Sequence, residues 1–217
     1  MKDFKAYLKP TWFLDFDNTR VKEKALEITQ GKKSQKDKAI ALFYWTRDRI
    51  KYNMYTYIPQ FKTNLRASTT LRRGHGFCMS KAVLLSTLAR AVDIPARIHM
   101  VDIKNHKVPD WVEELMGTKA FYCHGYSEFY IDDEWKKLTP VFDKQTALKA
   151  GYTPLVEFDG ENDALLSKYD SEGNLFVEYI GDHGIYDDVP IKEIERIFKK
   201  EYGPIYTEFK FKRPKRK

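Results

Sequence analysis

Cysteine is scarce in this chain: Cys78 and Cys123 are the only two in 217 residues. A disulfide framework therefore does not hold it together, and the fold must rest on a buried apolar core. Long apolar runs are missing too. No stretch approaches the roughly 20 residues that cross a bilayer, and no apolar signal core follows Met1-Lys2-Asp3-Phe4-Lys5. These absences lead to the expectation of a soluble cytoplasmic protein that does not enter the membrane. Cys-x-x-Cys pairs are also absent. His75, Cys78, Cys123 and His124 are of zinc-ligand type, but adjacent strand residues point to opposite faces, so Cys123 and His124 are not expected to grip one ion. No metal or other cofactor is expected.

What is present suits one folded unit. With 42% hydrophobic and 15% aromatic residues the chain can bury a sizeable core. Residues 1–209 read as a single domain, with a core at about 35–143 and a C-terminal flank at 144–209, followed by a basic tail at 210–217. The formal net charge of +7 lies mostly in that tail, where six of the last eight residues are Lys or Arg. The body is close to neutral, so nucleic acid is not an expected partner beyond weak phosphate attraction through the tail. Oligomeric state has no signature in the sequence.

The chain is organised around residues 71–98, where Gly74 and Gly76 precede Cys78 and where Ala82, Leu85, Leu88, Ala89 and Val92 recur at helical spacing. A helix is expected to begin at the thiol and to end near Asp93, because Pro95 cannot continue it. Free N–H groups and the positive end of the helix dipole favour a thiolate there, and can donate to an oxyanion. A lone free cysteine more often serves as a small buried hydrophobe, and glycines also serve plain turns. The paired glycines tip the reading toward a nucleophile that something must approach closely.

Before this stretch, Asn18 or Thr19 is placed to cap a helix carrying Val21, Ala25 and Ile28, and Ser34 opens a second one carrying Ala39, Leu42, Phe43, Thr46 and Ile50. Tyr52, Tyr55 and Tyr57 fall in a stretch read as extended, with packing favoured over a cleft-lining role. Ser68 is placed to cap a short helical turn that Gly74 stops.

After it, Ala96 to Val101 reads as a strand and Asp110 to Met116 as a short helix closed by Gly117. The strand 121–131 alternates clearly. Its Tyr122, His124, Tyr126, Glu128 and Tyr130 share one face, with Cys123 on the other, in the core. Asp132-Asp133 turns the chain into a second strand ended by Pro140. Residues 145–150 and the stretch from Pro190 to Gly203 read as helices, 175–180 as a strand, and 205–209 as a last edge strand. A cysteine nucleophile needs an imidazole, and the imidazole needs an oxygen-bearing partner. His124 is the candidate for the first and Asp143 for the second.

Gly76-Phe77-Cys78, Lys81-Ala82, the Leu-Ala-Arg-Ala-Val-Asp-Ile-Pro-Ala-Arg run ending at Arg97, and His124-Gly125-Tyr126-Ser127-Glu128-Phe129-Tyr130 followed by Trp135 together resemble the transglutaminase-like superfamily. The likeness spans about residues 35 to 143, and from Leu8 to Gly160 the chain resembles a bacterial and archaeal branch of it. The resemblance implies an α+β, papain-like fold in which a helix bearing the nucleophile cysteine packs on an antiparallel sheet bearing the histidine. It also implies a Cys-His-Asp triad, here Cys78, His124 and Asp143, acting on amide or peptide bonds as an amidase, peptidase or transglutaminase-type transferase. Two departures stand out: Thr139 occupies the position where the family has its aspartate, and Asp93 replaces a helix-ending glycine. The first leaves Thr139 as the other candidate for orienting His124. It also leaves open a noncatalytic protein that binds peptide or protein partners.

Overall fold

A computed structural model of the chain describes residues 3–56 and 61–203. The expectations for Tyr57, for an edge strand at 205–209 and for the tail at 210–217 fall outside the described residues.

Local chemistry sets the first helices. Asn18 caps α1 (Thr19–Thr29) by accepting from the Arg20 N–H, and Ser34 caps α2 (Gln35–Arg49) by accepting from the Asp37 N–H. The extended stretch expected from Tyr52 onward is shorter than its tyrosines suggest. Strand β1 is Lys51–Tyr52 alone, and Met54–Thr56 form a 3-10 turn. Helix α3 (Ala67–Arg73) begins before Ser68, which therefore does not cap it; the Ser68 N–H donates instead to Asp15 Oδ1. Gly74 ends α3 at φ 70°, a left-handed conformation that suits glycine. Strand β2 (His75–Gly76) then lies parallel to β1, with Tyr52 opposite Gly76.

Helix α4 (Cys78–Arg90) is the axis of the core: every residue from Met79 to Arg90 is buried. Its Lys81 is fully buried and donates from Nζ to the carbonyls of Arg47 and Ile50, the orphan acceptors at the end of α2. Burial pushes the Lys81 ammonium down to about 7, against the pull of Asp143 and Asp48.

The remaining elements are β3 (Ala96–Asn105), α5 (Asp110–Met116), β4 (Ala120–Ile131), β5 (Glu134–Leu138), α6 (Lys144–Ala150), β6 (Val177–Tyr186) and α7 (Ile191–Glu201). Four of them form an antiparallel sheet in the order β5-β4-β3-β6. Its α4-facing side contributes Ile98, Met100, Cys123, Phe129 and Ile131 to the main core, and Ser127 Oγ donates to the Ala82 carbonyl at 2.9 Å. The opposite side carries Val101, Ile103 and Tyr126 and is covered by Val141, Ala147, Tyr152, Leu166 and Phe176. Residues beyond β5 thus give the sheet its second apolar cover. Cys78 packs against both clusters, at the seam between them.

Candidate active site

The loop that delivers Cys78 is closed by a hydrogen bond from the Phe77 N–H to Ser80 Oγ at 3.0 Å, which ties the residue before the thiol to the first turn of α4. Cys78 itself is partly buried. The helix start alone argues for a lowered thiol pKa, but burial wins and pushes Cys78 up to about 11, against the N–H groups of Gly125, Met79 and Cys78.

His124 reaches the same place from the sheet. The β3–β4 register shifts between Val101 and Ile103, and Cys123 sits at φ 56°. Such a bulge re-aims the side chain that follows it. Asp102 holds it in place: its Oδ1 accepts from the Cys123 N–H at 2.9 Å and contacts His183 Nε2 at 2.7 Å. Nothing in the alternation of the sequence marked Asp102, because a bulge is set by pairing between distant strands. Gly125 then lets β4 approach α4 closely: a Cβ there would meet Met79 Sδ at 2.6 Å and Met79 Cα at 3.2 Å. Cys123 is 1% exposed and lies in the core, as its strand parity implies.

His124 and Cys78 line one cavity of about 190 Å³, together with Tyr52, Met54, Phe121 and Val141 among others. Tyr52 is thus a cavity-lining residue rather than packing alone. Burial pushes the His124 imidazole down to about 4. At neutral pH the thiol and the imidazole are therefore both uncharged.

The two candidates for orienting His124 are placed differently. Thr139 Oγ1, fully buried, is 3.2 Å from His124 Nε2. The Asp143 carboxylate accepts from the Tyr52 N–H at 2.8 Å and from Thr146 Oγ1 at 2.7 Å, and it caps α6 through the Thr146 N–H. Lys51 Nζ lies 3.4 Å from it. Burial raises the Asp143 pKa, but these hydrogen bonds and Lys51 outweigh that and lower it overall. Asp143 is held at the edge of the site, where it fixes β1 beside β2 and Cys78. Among the described residues no cluster of three or more His, Cys, Asp or Glu side chains is placed to hold a metal.

A helix that starts at a cysteine and packs on an antiparallel sheet bearing a histidine, the two residues lining one cavity, gives an α+β, papain-like fold. The chain belongs to the transglutaminase-like superfamily, whose core model matches residues 22–140, more than half of its length. Among solved structures it is similar to a candidate cysteine protease from Cytophaga hutchinsonii, with 17% identity and a TM-score of 0.50 over 86% of this chain and 55% of that one. It is also similar to a protein described as a TGase, with 16% identity and a TM-score of 0.38 over 58% of this chain and 31% of that one. This chain therefore spans little more than half the length of the Cytophaga protein. No curated protein matches it. Among the described residues, no helix is long and apolar enough to cross a membrane.

Proposed function

We propose that the protein is a cysteine-dependent acyl-transfer enzyme acting on an amide or peptide bond. The observation that carries this reading is the meeting of Cys78 and His124 in one cavity, with a ring nitrogen of His124 already held by Thr139. If Nε2–H donates to Thr139 Oγ1, Nδ1 is the nitrogen that takes the thiol proton, so Thr139 sets the tautomer.

Because both groups rest uncharged, deprotonation accompanies attack. The Cys78 sulfur bonds to the substrate carbonyl carbon as its proton moves to His124, and the oxyanion that develops faces the N–H groups at the start of α4. One such donor typically contributes a factor of about 10² to 10³ in rate. The C–N bond then breaks, His124 protonates the leaving amine, and an acyl-enzyme remains on Cys78. Water completes hydrolysis; an amine completes transfer. Asp143 supports the site by holding Tyr52 and α6, and Thr139 orients the base.

Alkylation with iodoacetamide, read residue by residue by mass spectrometry, tests the assignment. Cys78 is expected to react much faster than Cys123, whose thiol burial pushes higher still. Equal labelling removes the nucleophile role. Full amidase activity in Cys78→Ala removes it as well. Labelling of Cys78 without turnover of any amide or peptide would favour a noncatalytic binding protein, the reading motivated by an uncharged residue at position 139.

A further inference from the structure

The cavity beside Cys78 is notable for what its described walls leave out. Besides the cysteine and histidine, its lining includes Met54, Ile103, Val108, Val112, Phe121 and Val141, and among the described residues none along it carries a charge at neutral pH. Two charged groups that adjoin its walls are engaged elsewhere. Asp143 is turned onto Tyr52 and Thr146. Lys107, next to the wall residue Val108, donates from Nζ to the Gly151 carbonyl at 2.9 Å and to Asp170 at 2.8 Å.

The polar atoms on the walls are largely paired as well. Thr146 Oγ1 donates to Asp143, Asn105 Oδ1 accepts from the Lys107 N–H, and Tyr152 bonds the Asn105 side chain. A charged side chain entering this space would lose its water and meet no opposite charge among the described walls, which costs several kcal/mol or more, whereas an apolar one gains from burial.

An apolar cavity of roughly 150 Å³ is enough to take up benzene, and this one is about 190 Å³. The wall residue Trp111 stacks on Tyr55, their rings 15° apart with centroids at 6.3 Å. Trp111 is half exposed and lines the cavity, so its ring offers an apolar face to an occupant.

We infer that this cavity selects substrates with a bulky apolar side chain, aromatic or branched aliphatic, on the residue next to the scissile carbonyl. The inference rests on the acyl-transfer reading for its link to Cys78. It goes further in naming the substrate class: amides and peptides of phenylalanine- or leucine-like residues, and not of acidic, basic or glycine residues.

Two measurements on the full chain separate this from the reading beneath it. In the Cys78→Ala protein, binding of N-acetyl amides of Phe, Leu, Gly, Glu and Lys is followed by calorimetry. The Phe and Leu amides are expected to bind about tenfold or more tighter than the Gly, Glu and Lys amides, as a filled apolar pocket permits. Trp111→Ala in the same background is expected to reduce that preference severalfold. In the unmodified protein, cleavage of the matching aminocoumarin derivatives is expected to follow the same order in kcat/KM.

Apolar selectivity in binding without any acyl-enzyme or turnover would support the cavity assignment while removing acyl transfer. Acyl-enzyme formation with no preference, or with a preference for Lys or Glu, would overturn the inference and leave acyl transfer standing. Absence of measurable binding by every amide at millimolar concentration would also overturn it.

Discussion

Thr139 decides what kind of base His124 can be. A carboxylate in its place would stabilise an imidazolium by charge, whereas the Thr139 hydroxyl supplies geometry alone. This agrees with a histidine pushed down to about 4 and a thiol pushed up to about 11. Thr139→Asp is therefore expected to raise the His124 pKa and to move the pH profile of Cys78 alkylation to lower pH. An unchanged profile would contradict the role given to residue 139. Thr139→Val, which removes one buried hydrogen bond, is expected to lower the acyl-transfer rate by about tenfold. Asp143→Ala is expected to lower stability by about 1–2 kcal/mol, the cost of a lost helix cap, with the alkylation profile in place; denaturant unfolding and alkylation together check this. His99 offers a second residue-scale test. Its two ring nitrogens contact Glu128 Oε1 at 2.7 Å and Asp182 Oδ1 at 2.9 Å, an arrangement that a doubly protonated ring satisfies. Burial pulls the His99 pKa down, but these two carboxylates outweigh it and hold it above the ordinary histidine value of 6.5. Its contribution to stability is therefore complete below 6.5 and is lost as pH rises through the folded value. For His124, lowered from 6.5 to about 4, the sign is opposite: its contribution is present above 6.5 and is lost as pH falls toward 4. His99→Gln should then destabilise more at about pH 5.5 than at about pH 8.5, read as the shift in denaturant midpoint. A gap that widens with pH would contradict the imidazolium assignment.

Among the elements, the contact between β4 and the first turn of α4 brings the candidate nucleophile and base together. Gly125 is a close-packed point of it, because an added Cβ would press on the Met79 backbone as well as its flexible side chain. Gly125→Ala is expected to push β4 away from α4 and to depress acyl transfer more than stability, compared by initial rate and by thermal midpoint. Near-normal turnover in this variant would show that the approach is not required. Much of this arrangement was legible in the sequence: the helix starting at Cys78, the alternation that buried Cys123 and set its strand neighbour His124 on the other face, and the hairpin at Asp132-Asp133. Each rests on a local period or on a turn residue whose φ is positive, 49° and 68° at that hairpin. What was not legible depends on distant pairing. Strand β1 stops at Tyr52 because it pairs only with His75–Gly76. Strand β6 continues through Gly181 and Gly184 to Tyr186 because β3 pairs with it across two register shifts, despite glycines that read locally as breaks. The place of Asp143 was likewise hidden, since a residue four positions after Thr139 gives no sign that its carboxylate caps the next helix.

At the scale of the whole molecule, the site lies where two apolar clusters meet. The main core packs α4 against one face of the sheet, the segment beyond β5 covers the other, and Cys78 touches both. Substrate access, base and cavity walls thus come from parts of the chain as far apart as Tyr52 and Tyr152, while the family match ends at residue 140. The flank beyond that match is part of the site because it supplies Val141, Phe142, Thr146 and Tyr152 to its walls. In the proposed reaction Cys78 becomes acylated with His124 as its base. The most direct measurement is intact and peptide mass spectrometry after brief mixing with the p-nitrophenyl ester of N-acetyl-phenylalanine. The expected result is one added acyl group on the peptide containing Cys78, absent in Cys78→Ala and formed far more slowly in His124→Ala. An adduct spread over surface lysines and Cys123, or one on Cys78 that forms at the same rate without His124, would contradict it.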